Sequence, residues 1–290
     1  FMDFTDAPKR FSTYSGANGM KVAIWLDGEP WFLKLPPQST KRNAPLSYRN
    51  SCVTEYLGCH MFELAGIPAQ QTMLGAYVHD GKEKVVVACK DFVPVGYALG
   101  DFIGVKNAVV ESPRSGHDTE LATIEDAIDA QGFVDRDELL AFFWDMFVVD
   151  MLIANNDRHN GNWGLLNNGY ESHIAPVFDC GGCLFPDADE NLMAAITNDP
   201  RQLDAYVFSK PTTAIKLNGE HLSYWDFIHK ANRPGLDDAI RRVAPRFEAA
   251  EIANVVDGTP YISDVQKRFY KKILLARKTH LLDRRLEELS

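Results

Sequence analysis

The chain has 290 residues, which suffices for one large domain or two modest ones. Its 46% apolar and 24% charged residues are ordinary for a globular protein. The net charge is −10, and the acidic excess lies after residue 95, which argues against nucleic acid as the main ligand. No apolar run approaches the roughly 20 residues of a membrane span. We therefore expect no direct nucleic-acid partner and no membrane partner.

The beginning of the chain, FMDFTDAPKRF, carries no signal-peptide pattern. The five cysteines form no framework spacing, which is typical of a reducing compartment. A cytoplasmic location is therefore expected.

The first third of the chain predicts two β-hairpins around one helix. The runs KVAIWL and PWFLKL flank one Asp-Gly pair, and the stretch TMLGAYVHDGKEKVVVACKDF contains another, which is a strong hairpin signal. The helix between them has Asn50 or Ser51 as its cap and ends at Gly66. Its single apolar stripe consists of Val53, Leu57, Met61 and Leu64.

In the rest of the chain, helical patterns predominate over strand patterns. TIEDAIDAQGF and RDELLAFFWDMFVVDMLIAN predict helices, and a strand pair, WGLLNN and HIAPVF, follows them. In the last predicted helix, the basic run from Lys267 to Lys278 is interpreted as the solvated face. The sequence thus predicts an α+β protein with a β-rich N-lobe over 1–95, containing one helix, and a mostly helical C-lobe over 96–290.

Three polar side chains stand in the apolar surroundings of NNDRHNGNWGLLNNGYESHIAPVFDCGG: Asp157, Asn162 and Asp179. In protein kinases the catalytic-loop Asp precedes its Mg²⁺-binding Asn by five positions, and Asp157 and Asn162 have this spacing. Asp179-Cys-Gly occupies the place of the D-F-G triplet. Mg²⁺ prefers hard oxygen ligands and few protein contacts, so one Asp and one Asn suffice. The pattern predicts phosphoryl transfer from ATP.

The first third supplies the other parts that such chemistry needs. Lys34 lies in the apolar run WFLKLP, where a buried lysine needs an anionic partner, and Glu55 lies early on the predicted helix. The glycine-containing turn YSGANGMK can lay backbone N–H groups over phosphates. Adenine is expected to contact the backbone of residues 90–92, where the predicted sheet ends.

These stretches, in this order, resemble the HipA-like serine/threonine kinases, and in particular their compact members without the extra N-terminal subdomain. The resemblance rests on YSGANGMK, FLKLP, SCVTEYLGCHMFELAGI, KDF, NNDRHNGNWGLL and APVFDCGGCLF. It implies a two-lobed, protein-kinase-like fold, with ATP and Mg²⁺ as cofactors. It implies Asp157 as the base, Asn162 and Asp179 as metal ligands, and Lys34 on the ATP phosphates. The full set of residues expected to bind the nucleotide or to position its ligands is Ser15, Gly16, Ala17, Lys34, Glu55, Lys90, Asp91, Phe92 and His159.

The resemblance implies a protein substrate with Ser or Thr, of unspecified identity, and leaves open an antitoxin-like partner. It also implies autophosphorylation in the loop around Ser12 and Ser15. Alternatively, these hydroxyls only form hydrogen bonds with the backbone of the turn.

A phosphoinositide-type lipid kinase is an alternative function, because the pattern D-R-H-x-x-N also occurs in the phosphoinositide kinases. A nucleotide-binding interaction module without turnover is a second alternative function.

The stretch Cys180-Gly-Gly-Cys183 does not indicate a zinc site, because zinc usually needs four ligands and a second CxxC is missing.

Overall fold

The computed structural model describes residues 2–12, 20–36, 50–110 and 115–290. Within these residues, no helix has the length and apolar content to cross a bilayer.

The N-lobe is built on a four-stranded antiparallel sheet of order β1-β2-β4-β3. Its strands are β1 (Lys21–Leu26), β2 (Glu29–Lys34), β3 (Thr72–His79) and β4 (Lys82–Lys90). The two predicted hairpins are confirmed, and both Asp-Gly turns have positive φ, with Asp27 at 49° and Asp80 at 51°. Such left-handed pairs match the twist of the flanking strands.

The predicted helix is confirmed as α1 (Ser51–Leu64), which packs on the inner face of this sheet, but its burial and its cap differ from the expectation. Besides the apolar stripe, its polar residues Thr54 and Glu55 are buried as well. The Asn50 side chain does not cap the helix. Its Nδ2 instead donates to the carbonyl of Ala188, 2.7 Å away, in the C-lobe. The helix therefore lies between two lobes rather than against one.

Both ends of α1 are bonded to the C-lobe. At the N-terminal end, Gln266 Nε2 donates to Asn50 Oδ1 at 3.3 Å. At the C-terminal end, Arg246 Nη1 donates to the carbonyl of Ala65 at 2.5 Å. One continuous apolar core accordingly runs from the inner face of the sheet through α1 into the C-lobe.

The outer face of the sheet has a second, smaller core that the N-terminal residues cover. Phe4 is fully buried there, and its backbone N–H donates to the carbonyl of Ala76. The ring lies where Gly75 has no side chain, since a Cβ at that position would be 2.3 Å from it.

Within the described residues, the C-lobe is mostly helical and carries two small sheets. Strands β5 (Ala98–Asp101), β6 (Gly164–Asn167) and β7 (Ser172–Ile174) form one sheet, and β8 (Thr212–Leu217) and β9 (Glu220–Ser223) form the other. The helices are α2 (Phe102–Val110), α3 (Leu121–Ala130), α4 (Arg136–Leu152), α5 (Glu190–Asn198), α6 (Pro200–Asp204), α7 (Tyr224–Lys230), α8 (Pro234–Val243), α9 (Ala249–Gly258), α10 (Asp264–Arg277) and α11 (Arg284–Glu288). The predicted α+β class is confirmed.

The basic run of α10 is not wholly solvated, because Arg277 is fully buried. Its guanidinium donates to five main-chain carbonyls, those of Met151, Leu152, Tyr206, Val207 and Lys210. Two of these carbonyls lie at the C-terminal end of α4, where helical partners are lacking. Burial lowers the pKa of Arg277 to about 10, so the side chain stays charged at neutral pH. The interpretation of the whole run as a solvated face was therefore wrong at Arg277.

Candidate active site

A chain of ion pairs, from Lys34 to Glu55 and Asp179, joins the two lobes, and the region around these three residues is called the cleft below. Lys34, at the end of β2, donates from Nζ to Glu55 Oε2 at 2.8 Å and to Asp179 Oδ1 at 3.0 Å. Burial alone would lower the pKa of Lys34, but the Asp179 and Glu55 carboxylates outweigh it and raise that pKa well above its ordinary value. Lys34 is therefore a fixed cation at the cleft, held by two carboxylates.

Glu55 makes a second contact that orders the segment after Asp179. Its side chain is 1% exposed, and its Oε1 accepts from the backbone N–H of Cys180 at 3.0 Å. A buried carboxylate is costly unless it is paired and hydrogen-bonded, and here both oxygens have donors. Glu55 thus fixes the position of Lys34 relative to the segment that follows Asp179.

The loop after α4 presents Asp157. The backbone N–H of Asp157 donates to Asn155 Oδ1 at 3.1 Å, and its carbonyl accepts from Asn162 Nδ2 at 2.8 Å. The carboxylate itself is about one-third exposed. Burial raises the pKa of Asp157, His159 and Arg158 oppose the rise, and the nearby charge of Asp179 adds to it. Hydrogen bonds thus hold the backbone of Asp157, while its carboxylate stays partly exposed.

Asn162 and Asp179 have the chemistry of a magnesium site. The amide nitrogen of Asn162 is used by the Asp157 carbonyl, which leaves Oδ1 for a cation. Asp179 Oδ1 accepts from Lys34, which leaves Oδ2 for a cation, and the Asp179 side chain is 46% exposed at the cleft. The described residues hold no group of three or more His, Cys, Asp and Glu side chains that would bind a metal alone. Such a sparse set fits Mg²⁺, which is usually held by one or two carboxylates together with substrate phosphates.

His159 lies beside Asp157, with its Nε2 3.8 Å from Asp157 Oδ1. Its Nδ1 accepts from the backbone N–H of Gly161 at 3.0 Å. Because Nδ1 is an acceptor, the ring hydrogen of the neutral side chain is on Nε2, the nitrogen near Asp157. The side chain is about half exposed.

Sequence reasoning missed a buried arginine, Arg158, which follows the candidate base. It pairs with Asp150 of α4, with 2.9 Å between Nε and Oδ2. It also donates from Nη1 to the carbonyls of Asn162 and Phe178. The signal for it was available, because Asp150 interrupts the apolar run of α4 and a buried carboxylate needs a cationic partner.

Glycines allow the segment 179–183 to lie between α1 and the Asp157 loop. A Cβ at Gly182 would be 2.7 Å from Asp157 Cβ, and one at Gly58 would be 2.6 Å from Cys180 Cβ. Both distances are shorter than real Cβ contacts, so any larger residue would push the segment away. The cysteines here are buried free thiols, and Cys183 donates to the carbonyl of Thr54.

Gly58→Ala is expected to destabilise the protein by about 1–3 kcal/mol through overpacking and to weaken nucleotide binding. The added methyl displaces Cys180, which directly follows Asp179. Urea unfolding and calorimetric titration with Mg-ATP measure the two effects. Gly132→Ala is the matched control, because a Cβ there has nothing within 4 Å. Equal behaviour of the two variants would contradict the close-packing argument.

The predicted adenine-binding residues lie at the end of β4. The N–H groups of Lys90 and Asp91 already donate, to the carbonyls of Gln71 and Pro30. The ring of Phe92 packs against Phe178, with centroids 5.8 Å apart. The Lys90 carbonyl also has a partner, since it accepts from Gln70 Nε2 at 2.9 Å. The assignment of adenine to these residues stays a prediction. Ser15, Gly16 and Ala17, predicted to cover the phosphates, lie outside the described residues.

The Lys34–Asp179 pair predicts a specific pH dependence of stability. The Lys34 charge lowers the pKa of Asp179 to about 2, from an ordinary 3.8. The pair's contribution is therefore fully present above about pH 4 and is lost as the pH falls toward 2. Because the carboxylate is half exposed, solvent screening keeps this contribution modest.

We expect the difference in urea midpoint between the wild type and Asp179→Asn to shrink as the pH falls from about 5 to about 2.5. Added salt at pH 5 should shrink the same difference by screening the pair. A difference that stays constant over this pH range would show that the pair adds nothing to stability.

The chain matches a known protein family. The family model described as the HipA-like C-terminal domain matches residues 12–251. The chain belongs to the HipA-like kinases. The predicted family and the kinase-like fold are thereby confirmed.

Two of the similar proteins carry the name CtkA, one a sequence relative and one a solved structure. This HipA-like kinase is 40% identical to the serine/threonine-protein kinase CtkA of Helicobacter pylori (strain J99) over 273 residues, 93% of this chain and 82% of CtkA. The crystal structure of the proinflammatory kinase CtkA of H. pylori superposes with a TM-score of 0.92 at 37% identity, covering 99% of this chain and 98% of that one.

Proposed function

We propose that the chain transfers the γ-phosphate of ATP to a Ser or Thr hydroxyl of a protein substrate. The observation that carries the proposal is Lys34, bonded at once to Glu55 and Asp179, which are 21 and 145 positions away in the chain. A lysine fixed in this way beside a carboxylate–amide metal site is what phosphoryl transfer needs. The relationship to CtkA, whose name states a serine/threonine-protein kinase, supports the same substrate class.

Each residue has a part in the proposed reaction. Asp157 orients the attacking hydroxyl and accepts its proton, and Lys34 binds the phosphates. Asn162 Oδ1 and Asp179 would hold Mg²⁺, which supplies charge neutralisation at the phosphates when it is bound. His159 presents its Nε2–H to the nucleotide. Glu55 positions Lys34 and does not touch the reacting atoms.

A phosphotransfer assay with radiolabelled ATP tests the proposal. A histone mixture and phosphoinositide-containing vesicles are offered as substrates in parallel, with Asp157→Asn as the inactive control. We expect label on Ser or Thr of protein and none on lipid. Label on lipid alone would favour the phosphoinositide kinase alternative. ATP binding without any consumption would favour the interaction module.

We also propose a cytoplasmic site of action with a protein substrate, and leave an antitoxin-like partner open. The acidic excess of residues 96–290 argues against nucleic-acid and anionic-membrane partners, since like charges repel.

A further inference from the structure

One guanidinium contacts the backbone beside both proposed metal ligands. Arg158 Nη1 donates to the carbonyl of Asn162 at 2.7 Å and to the carbonyl of Phe178, directly before Asp179, at 2.5 Å. Its Nη2 lies 3.3 Å from Cys180 Sγ, directly after Asp179. The side chain is only 4% exposed. Asn162 and Asp179 come from separate segments of the chain, and Arg158 joins those segments.

Asp150 of α4 holds the guanidinium in place. Its Oδ2 accepts from Arg158 Nε at 2.9 Å and its Oδ1 from Nη2 at 3.3 Å, so the pair is forked. Two parallel bonds fix orientation as well as distance. The carboxylate is 1% exposed, and its Oδ1 also accepts from Asn155 Nδ2 at 2.8 Å. Since Asn155 in turn accepts from the backbone of Asp157, the same network reaches the candidate base.

We propose that the Arg158–Asp150 pair is a positioning clamp that sets the spacing of the two metal ligands, Asn162 and Asp179. The inference rests on the proposed function, in which these two side chains bind Mg²⁺. Mg²⁺ demands near-ideal octahedral geometry at about 2.0–2.1 Å, so it is sensitive to the separation of its ligands. Arg158 is a positioning residue, because its buried guanidinium contacts the backbone of Asn162 and of Phe178, the neighbour of Asp179.

The physical chemistry of buried ion pairs favours a geometric role over a stabilising one. The desolvation of two charges offsets most of their attraction, so such a pair is a weak source of stability. Burial alone would lower the pKa of Arg158, and the Asp150 charge more than restores it, which keeps the guanidinium charged. Residues behind metal ligands typically change metal affinity about 10–100-fold when they are replaced.

The test measures metal-dependent nucleotide binding rather than turnover. ATP is titrated calorimetrically into each variant over a range of Mg²⁺ concentrations, and also without metal. Arg158→Lys keeps the charge but loses the fork. The double variant Asp150→Leu/Arg158→Met replaces the pair with apolar side chains of similar volume, a change that buried ion pairs tolerate. Both should need about 10–100-fold more Mg²⁺ to reach half of the metal-induced gain in ATP affinity. Metal-free ATP binding should change by less than about twofold.

Arg277→Lys is the matched control. Arg277 is likewise a buried guanidinium that donates to main-chain carbonyls, but its bonds reach neither Asn162 nor the Asp179 segment. We expect a lower melting temperature and an unchanged Mg²⁺ midpoint. If Arg277→Lys shifts the midpoint as much as Arg158→Lys does, the effect is general loosening and the clamp is refuted.

An unchanged Mg²⁺ midpoint in either folded Arg158 variant overturns the proposal. A double variant that does not fold also overturns it, because the pair would then be structural. Asp179→Asn and Asn162→Ala in the same titration separate this failure from that of the proposed function. If those two variants also keep the wild-type midpoint, the metal assignment itself is wrong.

Discussion

Asp157→Asn is expected to lower phosphoryl transfer by roughly 10²–10⁴-fold, the usual contribution of a positioned acid–base group. Asparagine keeps the shape but removes the charge that accepts the hydroxyl proton. The contacts that fix residue 157 are made by its backbone, to Asn155 and Asn162, and survive the change. The carboxylate packs little, being one-third exposed, so the fold should not suffer.

Activity, ATP affinity and melting temperature together check this expectation. ATP affinity and melting temperature should remain near wild type while activity is lost. Asp101→Asn is a matched control, because Asp101 Oδ1 accepts from the backbone N–H of Gly104 and asparagine keeps that acceptor. Residual activity of Asp157→Asn above about a tenth of wild type would contradict its role as base.

The second large effect is expected for Asp179. Its replacement should weaken Mg²⁺-dependent ATP binding more than Asn162→Ala does, because a charged carboxylate attracts a divalent cation more strongly than a neutral amide. Asp179 also holds Lys34, so its loss frees the phosphate-binding lysine on one side. We expect at least about a tenfold larger loss of affinity for Asp179 variants than for Asn162→Ala.

The backbone at Asp179 decides which variant to use. Its φ is 57°, a left-handed conformation that alanine adopts only at a cost of about 1–2 kcal/mol, whereas asparagine tolerates it. Asp179→Asn therefore removes the charge without this strain, and Asp179→Ala adds the strain. Calorimetry of ATP binding with and without Mg²⁺ compares both with Asn162→Ala. Equal losses for the charged and the neutral ligand would refute the assignment.

The elements that local patterns specify were predictable from the sequence. The hairpins follow from Asp-Gly turns between alternating residues, and α1 follows from its apolar spacing and Gly66. Strand β5 was not predicted, because it is short, largely exposed and formed by pairing with β6. Its existence depends on a partner more than 60 positions away, which no local pattern encodes.

For the site, Asp157, Asn162 and Asp179 were predicted because they match the catalytic-loop spacing and the place of the D-F-G triplet. Arg158 was missed although Asp150, a carboxylate within the apolar run of α4, lies only eight positions before it and signals a buried cationic partner. Arg277 was misread as a solvated residue, although Tyr270, Ile273 and Leu274 place it on the buried face of α10. A basic residue in register with an apolar stripe is a signal of burial that composition alone hides.

The bonds at both ends of α1 have a consequence for control of the enzyme. In many kinases a lysine-pairing glutamate is brought into place only when an activation loop is phosphorylated. Here Asn50 and Ala65 attach that helix to the far lobe, so Glu55 meets Lys34 without any such modification. The unmodified chain thus already holds the Lys34–Glu55 pair. An inhibitor that works by displacing Glu55 would first have to break the Gln266 and Arg246 bonds.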